Sequence, residues 1–366
     1  MGNPGEAKID RQVEKAVEAS HKAVVATEKE IGEDADKPKG PVGLDIGTSF
    51  IVAAQNKLNY IHSVKQANAF FTVPKSKFAK SILNKNEVLY YEQGEQYYIV
   101  GFSAENFANM FNTNTRRPIK DGLLSPTERD AITVIQSLVG TLIQRPKFFG
   151  ETLCFAIPGE PLCSTGSVVY HEAMIKRFLS LMGYTPISIN EGMAVVISEL
   201  ADDDFTGIGI SMGGGMCNIC LSYLSFPVIT YSLQMAGDYI DSKVGLSLGE
   251  PATKIKTIKE EGLDLSKEPK DRMMTALHIF YDELIANLIA SLERALTTSD
   301  QIPKIAKPIP IVLSGGSARP NGCVDKFAEA LKQVSLPIEI SAVRLAEDPF
   351  NTTAKGALIM AMTEAA

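Results

Sequence analysis

The sequence has little of several features that mark particular classes of protein. Its 36 Lys and Arg residues are outnumbered by 43 Asp and Glu residues, whereas nucleic-acid-binding surfaces carry a basic surplus. No stretch approaches the roughly 18 uncharged apolar residues that a membrane-spanning helix needs. The charged N-terminal segment lacks the apolar core of a secretory signal. The 5 cysteines, an odd number, indicate a reducing compartment rather than a disulfide framework. We therefore expect a cytoplasmic protein that binds no nucleic acid.

What the sequence does contain is the alternation of strands and helices typical of a layered α/β fold. Its 366 residues suffice for two domains or one large unit with two lobes, and 45% are hydrophobic, enough for a sizeable core. The clearest strand patterns are 42–46, 51–55, 152–157, 207–211, 218–224, 227–233 and 309–314. The clearest helical patterns are 127–145, 168–183, 191–201, 238–246, 271–297 and 322–334.

Two segments differ from this pattern. Residues 1–40 are rich in charge and predict a solvated helix over about 8–31, followed by a polar linker. That tail is either mobile or a helix that docks on a partner and regulates assembly. Its face has no large aromatic residues, which argues against direct membrane contact. Residues 60–115 predict a small insertion containing a pair of strands around Gln93 and Gly94.

Two segments share one layout. VGLDIGTSFIVAAQ (42–55) and IGISMGGGMCNICLS (208–222) each place an apolar strand, a short polar residue, a glycine turn and a second apolar strand in that order. The polar residues are Asp45 and Ser211, separated by close to half of the chain. This repetition predicts two related halves that face each other across a cleft, with a glycine hairpin on each wall.

Such hairpins suit phosphate groups. Glycine lets the backbone approach an anion closely, and successive free N–H groups in a tight turn form a concave anion site. Asp45, near the end of its strand, can hold Mg²⁺ through the ion's waters. A third glycine turn, LSGGSARPNG (313–322), joins a strand to a helix, a junction that places small residues and a helix N-terminus beside a nucleotide.

These motifs resemble, in order, those of the actin-like ATPase superfamily. LDIGTS, IPGEP (157–161), NEGMAVVIS (190–198), ISMGGGMCN and LSGGSARPNG match its first phosphate loop, hinge connections, second phosphate loop and adenosine motif. RRPIKDGLLSP (116–126) and LAEDPFNTTAKGALIMA (345–361) are similar to segments of the MreB and MamK branch. The resemblance spans about 42–362.

The resemblance implies a duplicated ribonuclease-H-like fold, with two lobes around a nucleotide cleft. The expected division is a tail at 1–40, lobe I at 41–190 and lobe II at 191–366, with the C-terminal helix returning to lobe I. It further implies ATP and Mg²⁺ as ligands, Asp45 near the metal, and head-to-tail self-association into filaments. The residues implied in nucleotide binding are Gly47, Thr48, Ser49, Ser211, Gly213, Gly214, Gly215, Met216, Gly237, Asp238, Gly315, Gly316 and Ser317.

The sequence departs from the family pattern where hydrolysis is concerned. Ser211 stands where the second hairpin usually has Asp, and Met216 where it has Thr. By the resemblance, the catalytic glutamate of MreB proteins falls near Tyr170 or His171, which leaves the adjacent Glu172 as a candidate. Because phosphoryl transfer depends on positioning and charge, we expect slow hydrolysis or none. The alternative is that Asp45 and a local carboxylate, Glu160 or Glu172, sustain it.

The interpretation favoured by the sequence is a cytoskeletal protein that binds nucleotide and forms filaments for cell shape or intracellular organisation. Its partners are then other copies of the chain, together with cytoplasmic or membrane-associated adaptors. The alternative is a non-polymerising adaptor of the same fold that uses nucleotide structurally. A chaperone-like ATPase or a metabolic kinase is disfavoured, because the chain has no large inserted domain and no peptide-binding domain.

Overall fold

A computed structural model describes residues 40–57, 60–125, 127–162, 167–300, 302–305 and 307–365. The predicted tail helix at 8–31 lies outside these residues. Two five-stranded sheets dominate the architecture, and each supports one wall of a central cleft. Within the described part of the chain, no helix has both the length and the apolar character to cross a membrane.

The first sheet has the strand order β10-β9-β1-β2-β3. Strands β1, β2 and β3 form an antiparallel meander, and β9 and β10 add to β1 in parallel. Its members are β1 (Val42–Ile46), β2 (Phe50–Lys57), β3 (Tyr60–Ala67), β9 (Thr152–Ile157) and β10 (Thr185–Asn190).

The second sheet repeats this plan with the order β13-β12-β11-β14-β15. An antiparallel meander of β11, β12 and β13 is again extended in parallel by the next two strands. Its members are β11 (Gly207–Met212), β12 (Cys217–Tyr223), β13 (Phe226–Leu233), β14 (Ile309–Ser314) and β15 (Ile340–Leu345). The same topology occurring twice confirms the predicted duplicated α/β fold.

A small insert interrupts the first half. We call residues 70–110 the insert. It holds a three-stranded sheet of order β4-β6-β5 and the helices α1 and α2. Strands β5 and β6 form the hairpin that the sequence predicts around Gln93 and Gly94. The elements are β4 (Phe70–Pro74), α1 (Lys77–Lys85), β5 (Tyr90–Gln93), β6 (Gln96–Val100) and α2 (Phe102–Met110). A short pair, β7 (Ile119–Lys120) and β8 (Leu123–Leu124), follows it.

Helices cover both large sheets. The longest, α8, runs from Arg272 to Thr298 because apolar residues recur at helical spacing and the Asp271 side chain caps its first turn. The others are α3 (Ala131–Leu142), α4 (Val168–Leu181), α5 (Glu191–Glu199), α6 (Gly237–Leu248), α7 (Ala252–Gly262), α9 (Cys323–Leu331) and α10 (Thr352–Glu364).

Two helices lie between the sheets and join the halves. Helix α5 packs on β11 and β12, whereas α10, the last helix of the chain, packs on β1 and β9, and the two helices contact each other. A Cβ atom on Gly356 would collide with the backbone of Ala194, and one on Gly43 with the backbone of Leu358. Glycine at both positions therefore permits a backbone-to-backbone approach that holds the halves at a fixed distance.

Candidate functional site

The first wall of the cleft is the turn between β1 and β2. The Gly47 N–H donates to the carbonyl of Phe50 at 3.0 Å, which closes the turn. The buried Asn68 side chain donates to the Gly47 carbonyl at 2.8 Å, and the Asn68 N–H donates to the Ser49 carbonyl at 2.9 Å. With its carbonyls engaged from behind, the turn presents Thr48 and Ser49 to the cleft.

The second wall is the equivalent turn between β11 and β12. The Gly213 N–H donates to the Met216 carbonyl at 3.0 Å. The carbonyl of Gly213 accepts from the Ser317 hydroxyl at 2.7 Å and the Gly237 N–H at 3.1 Å. The carbonyl of Gly214 accepts from the Asp238 N–H at 2.8 Å. The start of α6 and the third glycine turn thus hold this hairpin in place.

The two hairpins meet at their tips. A Cβ atom on Gly214 would collide with the Ser49 hydroxyl, and one on Gly215 with the Thr48 hydroxyl. Within the described residues, no hydrogen bond engages the backbone N–H groups of Thr48, Ser49, Gly214 or Gly215. Donors converging from two walls suit an oxyanion such as a phosphate group.

Two carboxylates lie together at the base of the cleft. The Glu191 carboxylate accepts from the Ser211 hydroxyl at 3.1 Å and from the Asn218 amide at 2.8 Å. Burial raises its pKa from 4.5 to about 7, and the two hydrogen bonds offset part of that rise. Burial, and then the negative charge of Glu191, raise the pKa of Asp45 well above its ordinary value. A cation placed between these groups would relieve both effects.

Glu191 is the functional residue that the sequence prediction missed. Glu191 begins α5 directly after the end of β10. Strands β10 and β1 both lie parallel to β9, and Asp45 is near the end of β1. Because the carboxyl ends of parallel strands meet at one edge of a sheet, the acidic residue directly after β10 could have been predicted to lie near Asp45. Ser211, which replaces the expected aspartate, instead orients this acid.

The structure places Glu172 elsewhere. Its carboxylate accepts from the Ser188 hydroxyl, and it does not line the cleft. Tyr170 is exposed on the same helix. His171 is buried, its Nδ1 accepts from the Leu124 N–H at 3.2 Å, and burial lowers its pKa to about 4. None of the three lines the cleft, so none takes the position expected of a catalytic glutamate.

The other predicted binding residues are brought together around one cleft. It encloses about 840 Å³ of empty space, part of it open to solvent. Met216 lines the cleft, but its side chain packs with Leu123 and Val168, so it offers no hydroxyl in place of threonine. The predicted residues in the lining are Asp45, Gly47, Thr48, Ser49, Ser211, Gly213, Gly214, Gly215, Met216, Gly237, Asp238, Gly315, Gly316 and Ser317.

An aromatic side chain completes the end of the cleft near the third glycine turn. Gly315 has φ of 90° and packs so closely on the Met212 backbone that a side chain there would clash. The ring of Phe350 lies beside Gly316 and also lines the cleft. The Arg319 guanidinium lies over this ring, 4.2 Å from its centroid. The Lys65 Nζ lies 4.0 Å from the same centroid, so two cations flank the Phe350 ring at this end of the cleft.

Buried charges from α6 and α7 form the opposite side. Lys259 pairs with Asp241 at 2.7 Å and donates to the Gly237 carbonyl at 3.0 Å. Burial raises the pKa of Asp241 to about 6, and the charge of Lys259 opposes that rise. The Nζ atom of Lys256 lies 4.5 Å from the centroid of the Phe50 ring. Both lysines line the cleft, so its charge is mixed rather than uniformly acidic.

Several contacts cross the mouth of the cleft. Arg117 Nη1 donates to the Asp238 carboxylate at 2.6 Å and lies 3.4 Å from the Ser49 hydroxyl. Although burial opposes ionisation, the Arg117 charge holds the pKa of Asp238 below its ordinary value. From the insert, Glu105 forms an ion pair with Lys256 on α7. These contacts connect the two halves on the side of the insert, and we call them the clasp.

Comparisons with solved structures find the same fold. A MamK double-helical filament matches with a TM-score of 0.66 and 19% identity, over 88% of this chain and 98% of that chain. MreB 5 of Spiroplasma citri, bound to AMPPNP, matches with a TM-score of 0.64 and 15% identity, over 90% and 98%. The ethanolamine utilization protein EutJ from Carboxydothermus hydrogenoformans matches at 0.53 and 16% identity, over 96% and 98%.

These likenesses establish the two-domain actin-like ATPase fold, which confirms the resemblance to the MreB and MamK branch. A comparison with curated proteins found no match. A protein-family model covers nearly all of the described chain, residues 41–361. On that match, the chain belongs to the Volactin family.

Proposed function

We propose that the chain binds a nucleoside triphosphate, ATP, between its two hairpins and assembles end to end into cytoskeletal filaments. The observation that carries this proposal is the pair of facing glycine turns that line one cleft and whose backbone N–H groups at the tips have no hydrogen-bond acceptor within the described residues. The similarity to the AMPPNP-bound MreB 5 structure and to the MamK filament supports it.

The residues at the base of the cleft fit a hydrated Mg²⁺ ion. Carboxylate, hydroxyl and amide oxygens are the groups that this ion and its waters prefer. Asp45 and Glu191 would hold the waters, and Ser211 and Asn218 would keep Glu191 oriented toward them. When bound, the ion neutralises charge on the phosphates.

We further propose that hydrolysis is slow. Ser211 brings no charge of its own, and Met216 brings no hydroxyl, so the second hairpin contributes less to orienting an attacking water than the family pattern implies. Glu191, which lines the cleft and is oriented by Ser211 and Asn218, is then the candidate proton acceptor. Phosphate release measured on polymerising protein tests this point, and turnover at ordinary bacterial-actin rates would contradict it.

Calorimetry tests nucleotide binding directly. Titration with ATP, with and without Mg²⁺, should show one site per chain, and the binding should weaken at least tenfold in the variant Gly214→Val, whose side chain would occupy the space of Ser49. Gly262→Ala lies outside the cleft lining, has open space around its Cβ position and is not in the positive-φ region, and it serves as the control. No uptake of ATP by the intact chain would overturn the proposal.

The second candidate is an adaptor that holds nucleotide without turnover and stays monomeric. The replacements at Ser211 and Met216 favour it, because a structural nucleotide needs no attacking water. Concentration-dependent pelleting with ATP, together with electron microscopy, separates the two functions. Filaments support the first proposal, and a monomer at all concentrations that still binds ATP supports the second.

A further inference from the structure

The second half carries a protrusion formed by two neighbouring turns, residues 201–205 and 223–226, which we call the knob. The Ser222 hydroxyl donates to the Phe205 carbonyl at 2.8 Å, and the Leu224 N–H donates to the Thr206 hydroxyl at 3.0 Å. These bonds join the turn before β11 to the turn after β12. The knob is therefore a built structure rather than two independent loops.

The knob adopts a backbone conformation that its residues disfavour. Seven non-glycine residues in the described chain have positive φ, and four of them are in the knob: Asp204, Phe205, Leu224 and Ser225. With φ of 48° and 71°, Leu224 and Ser225 form a two-residue turn of the kind that favours Asn-Gly. Such strain concentrates at functional sites, where the side chain is retained for something other than stability.

The knob exposes apolar and acidic side chains together. Phe226 is 75% exposed and Leu224 is 50% exposed. Asp202, Asp203 and Asp204 are also exposed and form no ion pair within the described residues. An apolar pair beside three unpaired negative charges is suited to a surface that offers apolar contact and positive charge.

Helix α1 of the insert offers such a surface. The helix buries only Leu83, while Phe78 is 77% exposed and Ile82 is 37% exposed, one turn apart. Lys77 and Lys85 lie on the same exposed side and form no ion pair within the described part of the chain. We call these four residues, Lys77, Phe78, Ile82 and Lys85, the α1 face.

The two surfaces lie in different parts of the molecule. The hairpin of Gly213–Met216 is at one end of β11 and β12, and the knob is at the other end, about 20 Å away along the strands. The insert packs against α7 on the cleft side. The knob therefore projects away from the cleft, and the α1 face belongs to the lobe on the opposite side of it.

We propose that the knob of one copy docks on the α1 face of the next copy of this chain. Leu224 and Phe226 meet Phe78 and Ile82, and the aspartates of the knob face Lys77 and Lys85. Because the two surfaces differ, the contact is heterologous and repeats into an open chain unless the rotation closes it. This inference rests on the proposed end-to-end assembly and names its surfaces.

Charge reversal tests the contact. The knob variant is Asp202→Lys with Asp203→Lys, and the helix variant is Lys77→Glu with Lys85→Glu. Each alone should pellet at least tenfold less than the native chain with ATP, because like charges then face each other. Mixed in equal amounts, the two variants should pellet again, since each reversed surface finds a complementary one. The matched control is Glu268→Lys with Glu329→Lys, which reverses two exposed acids outside both surfaces and should leave pelleting unchanged.

The outcomes are distinguishable. Calorimetry with ATP shows whether each variant remains folded and able to bind nucleotide. If the native chain fails to pellet, the proposed assembly is wrong. If it pellets and the single-surface variants pellet equally well, or if mixing restores nothing, the knob contact is wrong. Loss of binding to phosphatidylserine vesicles in the helix variant, with assembly unchanged, would assign the α1 face to a lipid surface instead and overturn the contact.

Discussion

At the scale of single residues, Glu191 supplies the second carboxylate of the cleft, which Ser211 does not provide. The aspartate expected in the second hairpin is Ser211, yet the cleft still contains two carboxylates, since Glu191 enters from the start of α5. Burial raises the pKa of both carboxylates, and the negative charge of Glu191 raises that of Asp45 further. The site therefore holds negative charge at a cost in stability that a bound cation would offset.

Replacing Glu191 by Gln should remove this loss of stability in the nucleotide-free protein. The pKa of Glu191 is about 7 in the folded chain and near 4.5 when unfolded, so its contribution to stability is present at low pH and lost as the pH rises between these values. The variant keeps a neutral side chain, and its melting temperature should match that of the native chain at pH 5 and exceed it at pH 8.

Thermal melts across this pH range make the measurement. Glu172→Gln, which changes a carboxylate outside the cleft, is the control and should show no such divergence. Equal melting temperatures of Glu191→Gln and the native chain at pH 8 would mean that Glu191 is not held ionised against its surroundings.

At the scale of elements, the crossing of α5 and α10 depends on glycine. Gly356 touches the Ala194 backbone so closely that no side chain fits. Gly356→Ala should lower the free energy of unfolding by about 3 kcal/mol, in the range of overpacked cores, because one helix must move and the sheets it joins move with it. Urea unfolding measures this change.

Gly262→Ala provides the comparison within the same fold. Gly262 is the last residue of α7, has no neighbour within 4 Å of its Cβ position and lies outside the positive-φ region. Alanine there should leave the free energy of unfolding unchanged or raise it by up to about 1 kcal/mol. A loss in Gly356→Ala no larger than that in Gly262→Ala would contradict the close-packing argument.

The two-residue turn of the knob, Leu224 and Ser225, should lower the stability of the monomer and contribute to assembly. Leu224→Asn with Ser225→Gly gives the turn the residues that its φ angles favour, so the monomer should gain roughly 0.5–1 kcal/mol. The same change removes an exposed apolar side chain from the proposed contact and should reduce pelleting with ATP. Increased stability with unchanged pelleting would show that Leu224 has no part in the interface.

At the scale of the whole molecule, the insert closes the cleft by reaching the other half. Glu105 pairs with Lys256, Asn109 donates to Thr257 at 3.1 Å, and Asn114 accepts from the Thr253 N–H at 3.2 Å. These contacts join α2 and the residues after it to α7. These contacts would have to open before a nucleotide bound between the hairpins could dissociate.

Glu105→Gln should therefore speed nucleotide release. Lys256 is 3% exposed, and its other carboxylate partner among the described residues, Glu260, lies 3.9 Å away. Loss of the Glu105 charge therefore leaves a buried charge more weakly paired, which favours the open form. We expect dissociation of a fluorescent ATP analogue, followed by stopped-flow displacement, to become about tenfold faster, which corresponds to roughly 1.4 kcal/mol. Glu95→Gln changes an exposed acid of the insert and should leave the rate unaltered. Equal rates would show that the clasp does not limit release.

Local chemistry made part of the fold predictable from the residues alone. Seven of the ten strands of the two large sheets, the long helix α8 and the glycine turns follow from apolar spacing and from the backbone freedom of glycine, which act over a few neighbouring residues. The strands β3, β10 and β15 were not predicted. The helices α1 and α2, with 9 residues each, lacked such a signal, because helices this short depend on tertiary packing.

Which side chains share a site follows from the packing of the sheets and helices. It brought Glu191 rather than Glu172 to the carboxylate of Asp45, paired Arg117 with Asp238, and joined two turns into the knob. Each of these arrangements unites residues that are far apart along the chain, and the hydrogen bonds, burial and charge that favour them exist only when the sheets and helices have packed.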